Sequence, residues 1–315
     1  MRENNENEPE KAYEACRLCP RECGVNRLHA RGFCGCGQAL KVARAALHFW
    51  EEPCLSGNGG SGAVFFSGCT LGCVFCQNRE ISRNGFGKEI TVGRLAEIFR
   101  ELEEQGAQNI DLITATQFLP QVKKALEIGK EKRTIPVVYN CGGYEKPEAL
   151  RELEGLVDIY LPDMKYASTD RAARYSGAKD YPEKAMKALK EMIRQCPRPE
   201  YDENGAMIKG VLIRHLVMPG GREDSVRVLR LLKEELPPGS FRLSILRQFT
   251  PTAACENYPE INRRLTSFEY DRVIEEALSL GFTDAYMQEK SSAKEEYIPP
   301  FDLSGVEEIA REKQT

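Results

Sequence analysis

The chain has 315 residues, of which 41% are hydrophobic, so it can form the full core of one barrel-sized domain with an appended segment. Its formal net charge of −4 does not predict a nucleic-acid-binding surface, and no apolar run approaches the length that spans a membrane. Residues 1–10 are polar and acidic, unlike a secretory signal or a transit peptide, so we expect a cytoplasmic protein.

The twelve cysteines are concentrated in two short stretches rather than spread evenly. Five lie within 16–36 and three within 69–76, while the other four stand apart. Because the cytosol keeps thiols reduced, disulfides are not expected in such a chain. Closely spaced cysteines in a reducing compartment instead indicate bound metal.

The first predicted unit is a cysteine-rich, metal-binding segment that covers residues 1–61. Its C-x2-C-x3-C set can be completed by one of two later cysteines. The candidate ligands are Cys16, Cys19, Cys23, Cys34 and Cys36. Four cysteines on glycine-bearing turns can hold either zinc or an iron–sulfur cluster, and their spacing does not separate the two. The alternative is a disordered leader, but so few apolar residues would need a metal cross-link to be ordered.

A glycine- and serine-rich stretch at 56–62 predicts the boundary of a second unit, residues 62–290. The predicted strands cover 62–68, 109–114, 134–140, 157–161, 210–217 and 241–246. The predicted helices cover 92–105, 119–129, 146–153, 182–195, 225–236 and 267–280. Six strand–helix units predict an α/β fold whose parallel strands form a partial (β/α)6 barrel, since a closed eight-fold barrel would need two more units.

Two further stretches flank these elements. Residues 40–47 fit either a helix or a strand. The third predicted unit is a polar C-terminal tail, residues 291–315, in which two consecutive prolines indicate a bound or extended segment.

The loop after the first predicted barrel strand carries Cys69, Cys73 and Cys76 in a C-x3-C-x2-C spacing. Three thiolates are one short of full cysteine ligation of a [4Fe–4S] cube, which leaves one iron open for a small molecule. The alternatives are a structural zinc loop or cysteines that only pack. A zinc site would require a fourth Cys or His nearby, and none occurs between Asn78 and Cys141.

Polar residues follow almost every predicted barrel strand. They are Thr114, Thr116 and Gln117 after the second strand, Asn140 after the third, Asp163 and Lys165 after the fourth, His215 in the fifth, and Arg247 and Gln248 after the sixth. Active sites of α/β barrels lie at the carboxyl ends of the strands. The sequence therefore predicts that these side chains gather around the cysteine loop.

Four sequence strings carry a resemblance to a known family. They are CVFCQN at 73–78, VDIYLPDMKY at 157–166, IRHLVMPG at 213–220 and QEKSSAKEEY at 288–297. The chain resembles the radical S-adenosylmethionine (SAM) superfamily, within it the pyruvate formate-lyase activating enzyme group, and most closely the PflX-type branch. The resemblance implies a [4Fe–4S] cluster on Cys69, Cys73 and Cys76 that reductively cleaves SAM to a 5′-deoxyadenosyl radical, which abstracts hydrogen from a substrate. It also implies an electron donor such as flavodoxin or ferredoxin.

The same resemblance assigns SAM contacts to the residues around the cluster loop. The predicted cofactor-binding residues are Phe75, Thr114, Thr116, Asn140, Asp163, Lys165 and His215. Lys165 suits the SAM carboxylate and Asp163 its ammonium group, as charge-assisted contacts. The family's Gly-Gly-Glu motif after the second strand is replaced here by Thr-Ala-Thr-Gln, and the N-terminal cysteine set precedes the barrel.

The sequence does not identify the substrate, and no catalytic residue is assigned beyond the cluster. One expectation is that the radical activates a glycine in a partner protein or peptide. The alternatives are radical modification of a small molecule or RNA, and a non-catalytic iron–sulfur or zinc module. The mild net charge makes a nucleic-acid substrate the weaker alternative.

Overall fold

The computed structural model describes residues 8–288 and 299–307. The strands in these ranges are β1 (Lys41–His48), β2 (Ser61–Phe66), β3 (Lys88–Glu89), β4 (Ile110–Ile113), β5 (Val137–Cys141), β6 (Ile159–Pro162), β7 (Glu200–Tyr201), β8 (Met207–Leu216), β9 (Arg242–Leu246) and β10 (Tyr286–Met287). The α-helices are α1 (Glu8–Glu14), α2 (Pro53–Ser56), α3 (Arg79–Ser82), α4 (Val92–Glu104), α5 (Leu119–Gly129), α6 (Pro147–Arg151), α7 (Thr169–Ser176), α8 (Tyr181–Gln195), α9 (Arg222–Glu235) and α10 (Ser267–Ser279). Within the same ranges, no helix combines the length and apolarity needed to cross a membrane.

The strands form one sheet in the order β10-β9-β8-β6-β5-β4-β2-β1-β3, with β7 paired to β8 off this path. All neighbours from β10 to β2 are parallel, whereas β1 pairs antiparallel with both β2 and β3. The α/β fold with a parallel sheet that the strand–helix alternation predicts is therefore confirmed. Among the described residues, the edge strands β10 and β3 do not pair with each other, so the sheet stays open.

The local sequence explains why these elements form. Every residue of β4 and β5 is buried, as expected for parallel strands covered on both faces. In α4 the apolar side chains three and four residues apart form the buried face. Thr91 caps this helix by accepting a 3.0 Å hydrogen bond from the backbone N–H of Arg94. The helices thereby bury one face on the sheet and position the strand ends.

The structure resolves the ambiguity at 40–47, because β1 is a strand that pairs along β2. It also adds elements that the sequence pattern did not predict. One is α7, whose first turn is capped by Ser168, and another is the short strand β7, which lets β8 begin earlier than predicted. These elements contain few apolar residues, so the spacing of apolar residues in the sequence does not predict them.

Residues 299–307 pack against β1 and α4. The backbone N–H of Ala45 donates to the carbonyl of Ser304 at 2.8 Å, and that of Leu303 donates to Ala43 at 3.1 Å. The buried guanidinium of Arg94 donates to the carbonyl of Glu307 at 2.7 Å. The rest of the predicted tail, like most of the string at 288–297, lies outside the described residues.

Candidate active site

A cavity of about 940 Å³ lies at the carboxyl ends of the parallel strands. Its wall combines the loop after β2, the ends of β4, β5 and β6, inward-facing residues of β8 and β9, and the segment 49–58 between β1 and β2. This volume is at the upper end of the range for small-molecule sites, roughly 300–1,000 Å³. The strand-end residues thus meet around one large chamber, as the barrel rule predicts.

The three cysteines of the loop after β2 all line this cavity. The Cys73 thiol contacts the Ser176 hydroxyl at 2.9 Å, and the Cys76 thiol contacts that of Ser82 at 3.4 Å. Burial, together with the neighbouring Cys73 and Cys76, raises the pKa of the Cys69 thiol to about 12. Three half-buried thiols that repel one another as thiolates are stabilised by a bound cation, so the loop suits a cationic metal cluster.

Within the described part of the chain, no three Cys, His, Asp or Glu side chains converge as they would around one metal ion. In a [4Fe–4S] cube each cysteine binds a different iron, so the thiols stand farther apart than around a single ion. The chemistry of the loop, three soft thiol ligands on one cavity wall, fits such a cluster.

Opposite the loop, Asp163 and Arg214 form the centre of an ion network. Lys165 Nζ donates to Asp163 Oδ2, and Arg214 Nε donates to Asp163 Oδ1 at 3.0 Å. The other nitrogens of Arg214 donate to Asn140 Oδ1 at 2.6 Å and to Glu51 Oε2 at 3.2 Å. Burial would raise the pKa of Asp163, but the charges of Lys165 and Arg214 lower it. The carboxylate is therefore ionised, and the protein itself engages both of its oxygens.

The end of β4 has an unusual backbone. Thr114 has a φ of 54°, in the left-handed region that β-branched residues rarely adopt. Its N–H donates to the carbonyl of Asn140 at 2.9 Å, and its own carbonyl accepts from Gln117 Nε2 at 2.8 Å. The same Gln117 amide donates to the carbonyls of Ser67 and Gly68 at 2.9 and 3.1 Å. Gln117 thus joins the end of β4 to the start of the cysteine loop.

Five of the predicted cofactor-binding residues line the cavity: Phe75, Thr114, Asn140, Asp163 and Lys165. Thr116 and His215 lie outside the lining that the described residues form. Thr116 is fully buried and donates to Glu145 at 2.9 Å. His215 Nδ1 lies 2.7 Å from the carbonyl of Met164, because Arg214 and Leu216 occupy the inward-facing positions of β8.

Sequence reasoning missed three charged residues of the cavity wall, Glu51, Glu52 and Arg214. Arg214 stands beside His215 in the quoted string at 213–220, and the two-residue period of a strand allows only one of these neighbours to face inward. The sequence did hold one indication of a special role for Glu51 and Glu52: this acidic pair after Trp50 fits neither a helical nor a strand pattern.

The N-terminal cysteines lie against the cysteine loop of the barrel. The carbonyl of Cys34 accepts from the backbone N–H of Cys69 at 3.3 Å, and the Cys36 thiol donates to the carbonyl of Ser67 at 3.3 Å. Cys16 and Cys36 are buried, Cys19 and Cys34 are half-buried, and Cys23 is exposed. The two predicted metal sites are therefore direct neighbours.

The amino-acid sequence matches the family model of the radical SAM superfamily over residues 63–232, and the chain belongs to that superfamily. It is 30% identical over 275 residues to the uncharacterized protein MJ0674 of Methanocaldococcus jannaschii, with 84% of this chain and 74% of that protein covered.

Solved structures give more distant matches. SuiB of Streptococcus suis bound to S-adenosylmethionine aligns at 13% identity with a TM-score of 0.46, over 70% of this chain and 45% of that one. Methylornithine synthase PylB aligns at 15% identity with a TM-score of 0.49, over 70% of this chain and 60% of that one. The chain thus spans roughly half the length of these solved proteins.

Proposed function

We propose that this protein is an enzyme that binds SAM at a [4Fe–4S] cluster and uses it to abstract hydrogen from a substrate. The observation that carries the proposal is that Cys69, Cys73 and Cys76 share one cavity with Asp163 and Lys165. When bound, the reduced cluster supplies the electron that cleaves SAM to a 5′-deoxyadenosyl radical. The protein supplies binding groups, their orientation and shielding from water.

The charged residues opposite the loop have distinct roles in this proposal. Burial would lower the pKa of Lys165, but the Asp163 carboxylate raises it, so the ammonium group stays charged. An ammonium group has three donors and can bind the SAM carboxylate while it still donates to Asp163. Because both oxygens of Asp163 already accept hydrogen bonds, we assign Asp163 first to holding Lys165 and Arg214 in place.

We place the protein with the pyruvate formate-lyase activating enzyme group, PflX-type branch. The strings at 73–78 and 157–166 support this placement, since they supply the cysteine loop and the Asp163–Lys165 pair. A flavodoxin or ferredoxin as electron donor, and a glycine of a partner protein or peptide as the target, belong to the same proposal.

We further propose that the N-terminal cysteines hold a second metal centre. Support comes from Arg27, which is only 2% exposed and has no carboxylate within ion-pair distance in the described part of the chain. Its Nη1 lies 3.7 Å from the Cys16 thiol. A buried cation needs an anionic partner, and metal-bound thiolates provide negative charge at this position.

Both proposals are tested on anaerobically reconstituted protein. With SAM and dithionite, the wild type should release 5′-deoxyadenosine, and Cys73→Ala should release none. Cys196→Ala removes a buried thiol that donates to the carbonyl of Asp158, just before β6 and outside both cysteine sets; it is the matched control and should stay active. A wild type that fully binds its cluster and releases no 5′-deoxyadenosine would contradict the enzymatic role.

Metal analysis of the same samples tests the second centre. Iron of about eight per chain, falling to about four in Cys16→Ala, indicates a second cube. Iron of about four with one zinc that the same substitution removes indicates a zinc site. A metal content that Cys16→Ala and Cys19→Ala leave unchanged would rule the second centre out.

A further inference from the structure

Segment 49–58 forms the cavity wall at the amino ends of the parallel strands. It follows the antiparallel strand β1 and precedes β2, and the carbonyl of Leu55 within it accepts from Asn109 Nδ2 at 2.8 Å, just before β4. Glu51 forms an ion pair with Arg214 on β8. The segment therefore faces the cavity with Glu51 and Glu52 from the end of the strands opposite the cysteine loop.

Carboxylates outnumber cations in this part of the cavity. The acidic residues of the lining are Glu51, Glu52 and Asp163, and the basic residues are Arg214 and Lys165. Asp111 is buried behind this lining, close enough to interact electrostatically with Glu51 and Arg214. Asp163 is matched by Lys165, with which it forms an ion pair. The other three carboxylates share a single guanidinium, that of Arg214, so they can all be ionised together only if a further cation binds.

Two of these carboxylates have an oxygen without a partner. Glu52 is 7% exposed, and its Oε2 has no hydrogen-bond partner among the described residues. Asp111 accepts from Asn140 Nδ2 at 3.2 Å through Oδ2, while its Oδ1 has no partner within the same residues. A buried, unpartnered carboxylate oxygen costs free energy. Because Glu52 lines the cavity, its Oε2 marks where a donor from outside the chain would be stabilised.

The aromatic residues beside the acidic pair suit the same kind of ligand. Phe49 and Trp50 line the cavity and are 52% and 53% exposed. Aromatic faces attract cations and cover aliphatic stems. Buried carboxylates beside partly exposed aromatic rings match a cationic group on an aliphatic chain.

We propose that the substrate carries a protonated amine or guanidinium group that binds Glu52 and Glu51 on segment 49–58, at the end of the cavity opposite the cysteine loop. This inference rests on the proposed function, for which it names the substrate class. Burial raises the pKa of Glu52 to about 7, and it also raises that of Asp111. Both shifts agree with carboxylates that lack a counter-charge, because a bound cation would favour their ionised forms.

The test is equilibrium binding to the reconstituted protein with SAM present and no reductant, so that its outcome does not depend on SAM cleavage. The peptide probes are acetyl-Gly-Lys-Gly-amide and its neutral norleucine counterpart. The free-amine probes are pentylamine and pentanol. Calorimetry gives the affinity, and the fluorescence of Trp50, the single tryptophan of the chain, reports binding beside Glu51 and Glu52.

We expect the cationic member of at least one pair to bind about tenfold more tightly, and Glu52→Gln or Glu51→Gln to remove that preference. Glu203→Gln, which makes the same charge change at an exposed turn, should leave it intact. The pair with the larger preference distinguishes a peptide side chain from a free amine. Equal binding of cationic and neutral probes, or a preference that survives Glu52→Gln, overturns the proposal. It is also overturned if Glu52→Gln weakens SAM binding and leaves probe binding unchanged, because the carboxylate would then serve the cofactor.

Discussion

Arg214 joins more parts of the cavity than any residue that the sequence alone singled out. It contacts Asn140 at the end of β5, Asp163 after β6 and Glu51 on segment 49–58. Burial would lower its pKa, but the surrounding carboxylates raise it, with Asp163 contributing most. Its charge therefore stays in place, and each carboxylate around it depends on that charge.

Replacing Arg214 tests this dependence. Arg214→Met should lower the free energy of unfolding by about 3–5 kcal/mol, because it leaves Asp163 and Glu51 as buried charges without their partner. Denaturant unfolding monitored by circular dichroism measures the change. The matched control is Arg100→Met, whose ion pair with Glu104 is exposed on α4 and should contribute about 0.3–0.5 kcal/mol. If the two substitutions lowered the free energy of unfolding equally, the buried carboxylates would not depend on the charge of Arg214.

At the scale of single elements, the turn after β5 brings two chain segments into close contact. Gly143 has a φ of 78°, and a Cβ at this position would lie 2.1 Å from the carbonyl oxygen of Asp163. Tyr181 fixes the same place, since its hydroxyl donates to that carbonyl at 2.7 Å. Only glycine allows the turn to lie against the residues that carry the Asp163–Lys165 pair.

We therefore expect Gly143→Ala to destabilise the protein by about 2–4 kcal/mol, the sum of a left-handed backbone penalty and a steric clash with backbone. It should also weaken SAM binding, because the strand end that carries Lys165 has to move. Gly129→Ala is the control, since a Cβ there meets nothing within 4 Å and alanine favours the end of α5. Thermal melts with and without SAM separate the two effects. A Gly143→Ala variant as stable as wild type would contradict the close approach.

The strand–helix alternation was sufficient to predict the parallel sheet, because apolar periodicity directly reflects burial. The cysteine loop and the Asp163–Lys165 pair were readable for a similar reason, since spacing and strand-end position are properties of the sequence itself. The inward orientation of Arg214 was not readable, because it depends on the register of β8 beside β6 and β9. The position of Glu51 depends on how the connection between β1 and β2 folds, which leaves no periodic signal.

At the scale of the whole molecule, the predicted boundary at residue 61 falls between two strands that pair along their length. β1 lies on one side of the boundary and β2 on the other, and Val42 pairs with Phe66 at the far end of the ladder. Residues 299–307 cover β1 through hydrogen bonds to Ala43 and Ala45. Arg27 donates to the carbonyl of Gln117 at 2.7 Å. The cysteine-rich segment therefore also holds Gln117 in place, the residue whose amide supports the cysteine loop.

These contacts predict that residues 62–290 do not fold when expressed alone. The fragment would expose the buried β2 as a sheet edge, and an apolar edge strand promotes aggregation. We expect it to show no cooperative thermal transition and to bind no iron, although it retains Cys69, Cys73 and Cys76. Co-expression with residues 1–61 should restore part of the soluble material, because β1 can pair with β2 in trans. A 62–290 fragment that melts cooperatively and binds four irons would instead establish the barrel as an independent domain.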